Sequence, residues 1–240
     1  MGKQILVPGV IGMAVETNCV YYREMNGAAD QHLNEGHSLR SVMDTLDFAA
    51  FVSSVRDGDD AGLSAAVAES AQRVEAAGAD FVVISSNAGH LAAEAVRAAV
   101  EIPLLDIRDV AVAELRRMRT GGAGLISTTT THQRRVYEGA FRLAGIELIA
   151  PAPDDAAMVD EVIFTELIHG AVSESGVATV QRVADGLLDQ GADAILLACT
   201  DLTMLASRLR PEAAVVDTTV LHARTAGLRA TGAGIAKDVR

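Results

Sequence analysis

The sequence has few of the groups on which several common kinds of chemistry depend. Among its 240 residues there are two lysines, Lys3 and Lys237, one near each end, and there is no Walker phosphate loop. A buried lysine that forms a Schiff base with a substrate is therefore not expected. The two cysteines, Cys19 and Cys199, do not suggest a disulfide framework, and no His/Cys spacing is typical of a metal site. We accordingly expect neither a metal nor a cofactor.

Positive charge and long apolar runs are also scarce. The formal net charge of -12 argues against nucleic acid or an anionic membrane as a partner. No apolar run is long enough to cross a bilayer, and the N-terminus lacks a basic segment followed by an apolar one. Half of the residues are apolar, which is ample for a core. These features predict a soluble, cytoplasmic protein.

Two stretches of the chain are copies of one pattern. Each begins with Gly-Ala-Asp, continues as an apolar run and ends in small polar residues, and they span residues 78–90 and 191–201. The sixth residue after the Asp is Ser86 in the first copy and Cys199 in the second. Short apolar runs preceded by a helical pattern and a Gly are typical of buried parallel strands. Because ligands bind beyond the carboxyl ends of such strands, Ser86 and Cys199 are candidates for chemistry.

The repeat extends beyond the two strands. Each copy is followed by a predicted helix and then a strand ending in Asp, so that Asp106 lies 20 residues after Ser86 and Asp217 lies 18 residues after Cys199. This layout predicts an α/β protein of two pseudo-symmetric lobes, each a mainly parallel sheet flanked by helices, with the active site in the cleft between them. We assign residues 1–107 and 211–240 to the first lobe and residues 108–210 to the second.

Other segments have less regular patterns. The stretch 52–62 is charged and contains Gly, which predicts an exposed loop with Arg56 among several Asp residues. Residues 132–144 predict a single helix that ends at Gly145. The tail after Gly232 is predicted to be loosely held.

Several motifs together resemble the aspartate/glutamate racemase superfamily, whose enzymes work without pyridoxal phosphate. Its two signatures are a Cys-Asn-Thr turn and a Cys-Thr-Glu turn. The second is nearly intact as Cys199-Thr200-Asp201, and the first is altered to Ser86-Asn87-Ala88. The other residues that carry the resemblance are spread over most of the chain: Gly12, Met13, Glu16, Tyr21, Tyr22, Arg23, Asn26, Asp47, Phe48, Arg56, His90, Ser127 to Thr131, Tyr137, Asp217, Thr218 and His222.

The resemblance implies a cofactor-independent amino-acid racemase that forms a homodimer and whose partner is a small amino acid or carboxylic acid. Such an enzyme takes the α-proton from one face of the substrate and delivers a proton to the other. Cys199 is expected to be the main acid/base, its pKa lowered by the N-terminus of the following helix. The residues expected to bind the substrate are Met13, Arg56, Asn87, Thr128, Thr131 and Thr200.

Two departures from the family pattern bear on the chemistry. Ser86 stands where the first catalytic Cys belongs, and a hydroxyl is a poorer base than a thiolate unless a neighbour activates it. His90, four residues later, is the predicted neighbour. The weaker group on this face predicts unequal rates in the two directions. Met158 takes the place of a Lys that helps to bind acidic substrates, which weakens the case for aspartate or glutamate.

Alternatives remain open at this point. A decarboxylase or isomerase of the same superfamily needs one thiol only, which fits the loss of the first Cys. A non-catalytic protein that binds a small carboxylate has no need of Cys199. At single positions, Ser86 can be a helix cap, Cys199 an inert buried thiol, His90 a structural residue and Arg56 a member of a surface ion pair.

Overall fold

The computed structural model describes residues 5–33, 36–210 and 212–233. Within them the chain forms two compact units, whose boundaries lie between Val110 and Ala111 and between Thr218 and Thr219. Each unit contains its own sheet, so that each is built around its own core.

The first unit is built on a four-stranded parallel sheet of order β2-β1-β3-β4. Its strands are β1 (Pro8–Gly12), β2 (Val42–Thr45), β3 (Phe81–Ile84) and β4 (Leu104–Leu105). Its helices are α1 (Val15–Leu33), α2 (Phe48–Asp57), α3 (Asp60–Ala76), the 3₁₀ turn Ala88–Ala92, α4 (Ala93–Ala99), the first turn of α5 (Ile107–Met118), and α11 (Thr218–Thr231).

The second unit repeats this strand order as β6-β5-β7-β8, again parallel throughout. Its strands are β5 (Gly122–Ile126), β6 (Glu147–Ile149), β7 (Ala194–Leu197) and β8 (Ala214–Asp217). Its helices are α6 (Thr129–Gln133), α7 (Glu138–Ala144), α8 (Pro153–Thr165), the 3₁₀ turn Leu167–His169, α9 (Glu174–Asp189), the 3₁₀ turn Thr200–Leu202 and α10 (Thr203–Ala206). The predicted α/β fold with two parallel sheets is confirmed.

Helices cover both faces of the first sheet, which explains why its central strands are apolar throughout. In β3, Val82 and Ile84 pack into a cluster with residues of α2, α3 and α4. The alternate residues Phe81 and Val83 pack on the other face, with residues of α1 and α11. This follows from the alternation of side chains along a strand.

The Asp residues of the two Gly-Ala-Asp copies fasten the beginnings of the strands. Asp80 accepts a hydrogen bond from the main-chain N–H of Val7 at 2.7 Å, and its own N–H donates to the carbonyl of Val7 at 2.8 Å. Asp193 accepts from the N–H groups of Gly121 and Gly122 at 2.8 and 3.0 Å. These bonds lower the pKa of Asp193. The Asp of each Gly-Ala-Asp copy therefore has a structural role. It lies at the beginning of its strand, whereas Ser86 and Cys199 follow the other end.

Asp193→Ala is expected to destabilise the second unit by about 1 kcal/mol, because an exposed carboxylate that holds two main-chain N–H groups is lost. Urea unfolding followed by circular dichroism measures the change. Asp189→Ala, at the exposed end of α9, is the matched control and should change stability by less than about 0.5 kcal/mol. Equal effects of the two substitutions would contradict this role of Asp193.

Three details differ from the sequence predictions. The predicted loop over residues 52–62 is wrong, because α2 continues to Asp57 and α3 begins at Asp60; Asp47 and Asp59 cap these helices. The predicted helix over residues 132–144 is interrupted at Arg135, whose φ is 51°. The strand Ala214–Asp217, which the sequence predicts in the first lobe, pairs with β7 in the second sheet. Of the predicted loose tail, residues 234–240 lie outside the described residues.

Candidate functional site

The first candidate turn follows β3 and begins at Ser86, which is 8% exposed. Its hydroxyl oxygen accepts a hydrogen bond from the N–H of Gly89 at 3.1 Å. A Cβ atom on Gly89 would lie 2.7 Å from the Ile84 side chain and 3.2 Å from that of Ser86, so only Gly fits. Ser86 therefore caps the 3₁₀ turn, as one of the alternatives proposed, while its O–H hydrogen can still be donated.

His90 contacts Ser86 through the main chain. Its Nδ1 lies 2.7 Å from the Ser86 carbonyl oxygen, which can only accept, so Nδ1 carries the hydrogen. Its Nε2 then accepts from the N–H of Ile107 at 3.1 Å. Both nitrogens are thus used by main-chain groups, and the predicted activation of the Ser86 hydroxyl by His90 does not fit this geometry.

The neighbouring strand end is fastened to the same turn by residues that the sequence analysis missed. Asn18 of α1 accepts from the N–H of Met13 at 3.1 Å and from the hydroxyl of Ser85 at 2.9 Å. Met13 is buried, and its terminal methyl group lies near Gly89. Asn87 is also buried within the turn. The structure thus brings together Met13, Ser86, Asn87 and His90, four of the predicted site residues.

Asp106 forms a buried ionic cluster behind this turn. It accepts from Arg97 at 2.8 Å and from Arg108 at 2.6 and 2.8 Å. Burial alone would raise the pKa of Asp106, but the hydrogen bonds and charge of Arg108 outweigh it and hold the pKa well below its usual range. The carboxylate is therefore charged and fully paired, which makes it structural.

Arg56 lies on the surface of α2. Its side chain is 70% exposed and pairs with Asp57 at 3.0 Å. The other side of the same helix, at Phe51 and Val55, packs into the core. This arrangement matches the surface ion pair that was the alternative for Arg56, so a role in substrate binding stays a prediction.

The second candidate turn follows β7 and begins at Cys199, which is half-buried. Cys199 precedes the short 3₁₀ turn Thr200–Leu202, and its thiol donates to Oδ2 of Asp201 at 3.8 Å. Thr200, also predicted for the site, is half-buried beside it. A free thiol and a carboxylate thus form a pair at the carboxyl end of a central strand.

The environment of Cys199 opposes ionisation. Burial, followed by the negative charge of Asp201, raises the pKa of the Cys199 thiol to about 12. Burial also raises the pKa of Asp201. The expectation of a lowered thiol pKa is therefore wrong for this structure, because a three-residue 3₁₀ turn supplies little dipole and the nearest charge is a carboxylate. Cys199 rests as a protonated thiol.

The threonine turn follows the neighbouring strand β5, whose end is joined to β7 by the bond from Ala198 N–H to Ile126 O at 2.8 Å. The Oγ1 of Thr128 accepts from the N–H of Thr131 at 3.3 Å and lies 3.0 Å from the Thr131 hydroxyl. Asp160 of α8 accepts from the N–H of Thr129 at 2.9 Å. Thr128 is thus the cap of α6, and it is placed at a strand end adjacent to that of Cys199.

Met158 lies on α8 beside an arginine. The guanidinium of Arg182 lies 3.3 Å from the Met158 sulfur and 2.7 Å from a carboxylate oxygen of Asp155. A cation is therefore present next to the position where Lys was expected, although it is paired with Asp155.

Within residues 5–33, 36–210 and 212–233, no group of three or more His, Cys, Asp or Glu side chains could hold a metal ion. None of the described helices is long and apolar enough to cross a membrane.

Comparison with known proteins decides the family. The family model described as Asp/Glu/Hydantoin racemase matches residues 10–226. The chain therefore belongs to the Asp/Glu/hydantoin racemase family. A candidate Asp/Glu racemase from Yersinia pestis is 30% identical, with a TM-score of 0.88 over 94% of this chain and 99% of that one. The resemblance inferred from the sequence motifs is confirmed.

Two more known proteins are similar to this chain, one in sequence and one in fold. The broad specificity amino-acid racemase RacX from Bacillus subtilis is 24% identical over 163 residues, which cover 67% of this chain and 69% of RacX. Arylmalonate decarboxylase has the same fold, with a TM-score of 0.55 and 13% identity over 95% of this chain and 94% of the decarboxylase.

Proposed function

We propose that this protein is a cofactor-independent racemase of an amino acid, in which Cys199 takes and returns the α-proton. The observation that carries the proposal is the thiol–carboxylate pair of Cys199 and Asp201 at the end of β7. Family membership and the similarity to amino-acid racemases support it. A protein that only binds carboxylates has no use for such a pair.

The pair supplies a way for a thiol of high pKa to act as a base. The Sγ–H proton of Cys199 passes to Oδ2 of Asp201, whose own pKa is raised by burial, and leaves a thiolate. The thiolate takes the α-proton and becomes a thiol again, while the C–H electron pair spreads into the substrate carboxylate. When Ser86 protonates the other face, the proton held by Asp201 returns to the Ser86 oxygen by way of solvent. In the reverse direction the same steps run backwards, so the Cys199 thiol donates its proton to the substrate and Asp201 returns its own proton to the thiolate.

Ser86 is proposed to serve the other face of the substrate. Because its oxygen accepts from the Gly89 N–H, its role is better suited to donating a hydrogen bond or proton than to accepting one. The two enantiomers have equal free energy, so kcat/KM must be the same in both directions whichever groups act. A weak group at Ser86 therefore shows itself as proton exchange without inversion and not as unequal kcat/KM.

The polar side chains at the strand ends are proposed to hold the substrate carboxylate. Thr200 adjoins Cys199, Thr128 and Thr131 follow the adjacent strand, and Asn87 adjoins Ser86. Hydroxyl and amide donors of this kind also stabilise the charge that develops on the carboxylate as the α-proton leaves.

Racemisation of a panel of amino acids tests the proposal. Each enantiomer of aspartate, glutamate and the common neutral amino acids is incubated with the protein and separated by chiral chromatography. Formation of the opposite enantiomer from at least one amino acid is expected. Failure with the whole panel would contradict the racemase proposal. Size-exclusion chromatography of the same preparation tests the expected homodimer.

Asp201→Asn should separate two effects of the Asp201 carboxylate: it raises the pKa of the Cys199 thiol, and it accepts the thiol proton. The thiol pKa should fall when the neighbouring negative charge is removed, so alkylation of Cys199 by iodoacetamide at pH 8 should quicken by about tenfold. Racemisation should nevertheless fall by about a hundredfold, because Asn cannot take the proton. Both rates are measured in a Cys19→Ser background, so that Cys199 is the only thiol. Faster racemisation together with faster alkylation would show that Asp201 merely suppresses the thiolate.

A decarboxylase is the second candidate function, favoured by one observation. Ser86 replaces a thiol on one face, and protonation after loss of carbon dioxide needs a donor on one face only. The shared fold with arylmalonate decarboxylase is consistent with it. Carbon dioxide release from disubstituted malonates, abolished in Cys199→Ala, would establish this function in place of the first.

A further inference from the structure

Two buried histidines form a contacting pair next to the Ser86 turn, and we call them the histidine pair. His90 and His222 are 1% and 0% exposed, and their rings meet edge to face with centroids 5.7 Å apart. His222 belongs to α11 and lies between Tyr21 of α1 and Leu105 of β4. The histidine pair therefore joins four segments of the first unit that are distant in sequence: α1, the 3₁₀ turn Ala88–Ala92, β4 and α11.

The main-chain carbonyl groups fix the tautomer of each ring. Leu105 O lies 2.9 Å from Nε2 of His222, so that nitrogen carries the hydrogen, and Nδ1 accepts from the Tyr21 hydroxyl at 2.8 Å. In His90 the order is reversed, with Nδ1–H donated to Ser86 and Nε2 accepting from Ile107. All four ring nitrogens are engaged, and burial keeps both rings neutral by lowering the pKa of His90 to about 4 and that of His222 to about 3.

We propose that His90 is a positioning residue for Ser86, which it holds through the Nδ1–H bond to the Ser86 carbonyl while Nε2 ties the turn to the start of α5. The role rests on the function proposed above for Ser86. His90 does not itself exchange protons with substrate, because both of its nitrogens are occupied by main-chain groups.

The consequence for catalysis lies in the direction of the Ser86 hydroxyl. Its oxygen is set by the turn, since it accepts from Gly89 three residues later, and the turn is set by the 2.7 Å bond to His90. A displacement of the reacting group by about 1 Å can cost about a hundredfold in rate. Loss of the Nδ1–H bond should therefore strongly lower the rate at which the substrate is inverted, while the stability of the fold changes less.

Two variants separate the two hydrogen bonds of the His90 ring, because each keeps one bond and loses the other. In His90→Asn the side-chain NH₂ group takes the position of Nδ1 and can keep the bond to the Ser86 carbonyl, but Ile107 loses its acceptor. In His90→Gln the carbonyl oxygen takes the position of Nε2 and can keep the bond to Ile107, but Ser86 loses its donor. Each variant loses one buried hydrogen bond, so the two should lose similar stability. His169→Gln, on an exposed 3₁₀ turn, is the control.

The readout is the ratio of inversion to α-proton exchange in heavy water, which depends on Ser86 and not on overall stability. His90→Asn should keep this ratio within about threefold of the native value, whereas His90→Gln should lower it by about tenfold or more, as is also expected of Ser86→Ala. Equal ratios in the two variants would overturn the proposal.

A spectroscopic measurement on the unaltered protein covers the case in which the variants do not fold. A scalar coupling across the hydrogen bond between Nδ1 of His90 and the Ser86 carbonyl carbon is expected in the NMR spectrum of labelled protein, and its absence would overturn the proposal. If the coupling is present but the native protein exchanges no α-proton, the bond stands, and both the proposed function and the role of His90 that rests on it fail.

Discussion

Cys199→Ser should lower racemisation by about a thousandfold, because general acid/base catalysis by a side chain is worth about 10²–10⁴ and a hydroxyl ionises far less readily than a thiol. The oxygen would keep a hydrogen bond to Asp201, so folding should be little affected. Initial rates with the best amino acid of the panel, together with a urea unfolding curve, measure both quantities.

The chain offers a matched control for this substitution. Cys19 is also a free cysteine, but it is exposed on α1. Cys19→Ser should retain the native rate within a factor of about two. If Cys199→Ser kept the full rate, Cys199 would be an inert thiol and the proposed function would lose its central residue.

Acid should destabilise the first unit well above the pH at which carboxylates titrate. His90 and His222 are neutral in the folded protein, with pKa values lowered by burial to about 4 and about 3, while an unfolded histidine has a pKa of about 6.5. Below about pH 6.5 the unfolded state therefore binds protons that the folded state does not. Stability is full above that pH and is lost as the pH falls toward 4.

The size of this effect follows from two histidines acting together. Each contributes a slope of about 1.4 kcal/mol per pH unit, so the free energy of unfolding should fall by about 2.7 kcal/mol per unit between pH 5.5 and 4.5. The charged groups near His90 and His222 do not cancel this slope. The pKa of Asp106 is held low, so its carboxylate loses its contribution only below about pH 4. The Arg108 guanidinium, whose pKa is raised by its hydrogen bonds to Asp106, stays charged throughout.

Urea unfolding at a series of pH values measures the slope. His222→Gln removes one titrating ring and should reduce the slope by about 1.4 kcal/mol per unit. A free energy of unfolding that stays constant from pH 7 to pH 5 would show that the two rings are accessible to protons in the folded state.

The sheets could be predicted from the sequence because their strands are buried on both faces. The apolar runs of the two Gly-Ala-Asp copies became β3 and β7, which are fully buried. Such runs carry a strong local signal, since the central strands of a covered parallel sheet are apolar on both faces. The same signal placed Ser86 and Cys199 at strand ends.

Other features depend on contacts that a local pattern does not contain. The charged stretch 52–62 that suggested a loop contains the end of α2 and the cap of α3, because Asp59 accepts from the main-chain N–H of Gly62 at the start of that helix. The pairing of β8 with β7, and the contact of His90 with His222, join residues far apart in the chain. Even the thiol pKa depends on burial and on the position of Asp201, so its direction could not be deduced from the spacing alone.

Proton exchange at the α-carbon in heavy water, followed by NMR, tests the central role of Cys199 most directly. The native protein should place deuterium on the α-carbon of its substrate and form the other enantiomer, Ser86→Ala should exchange one enantiomer with little inversion, and Cys199→Ala should do neither. Exchange that survives in Cys199→Ala at the native rate would contradict the account.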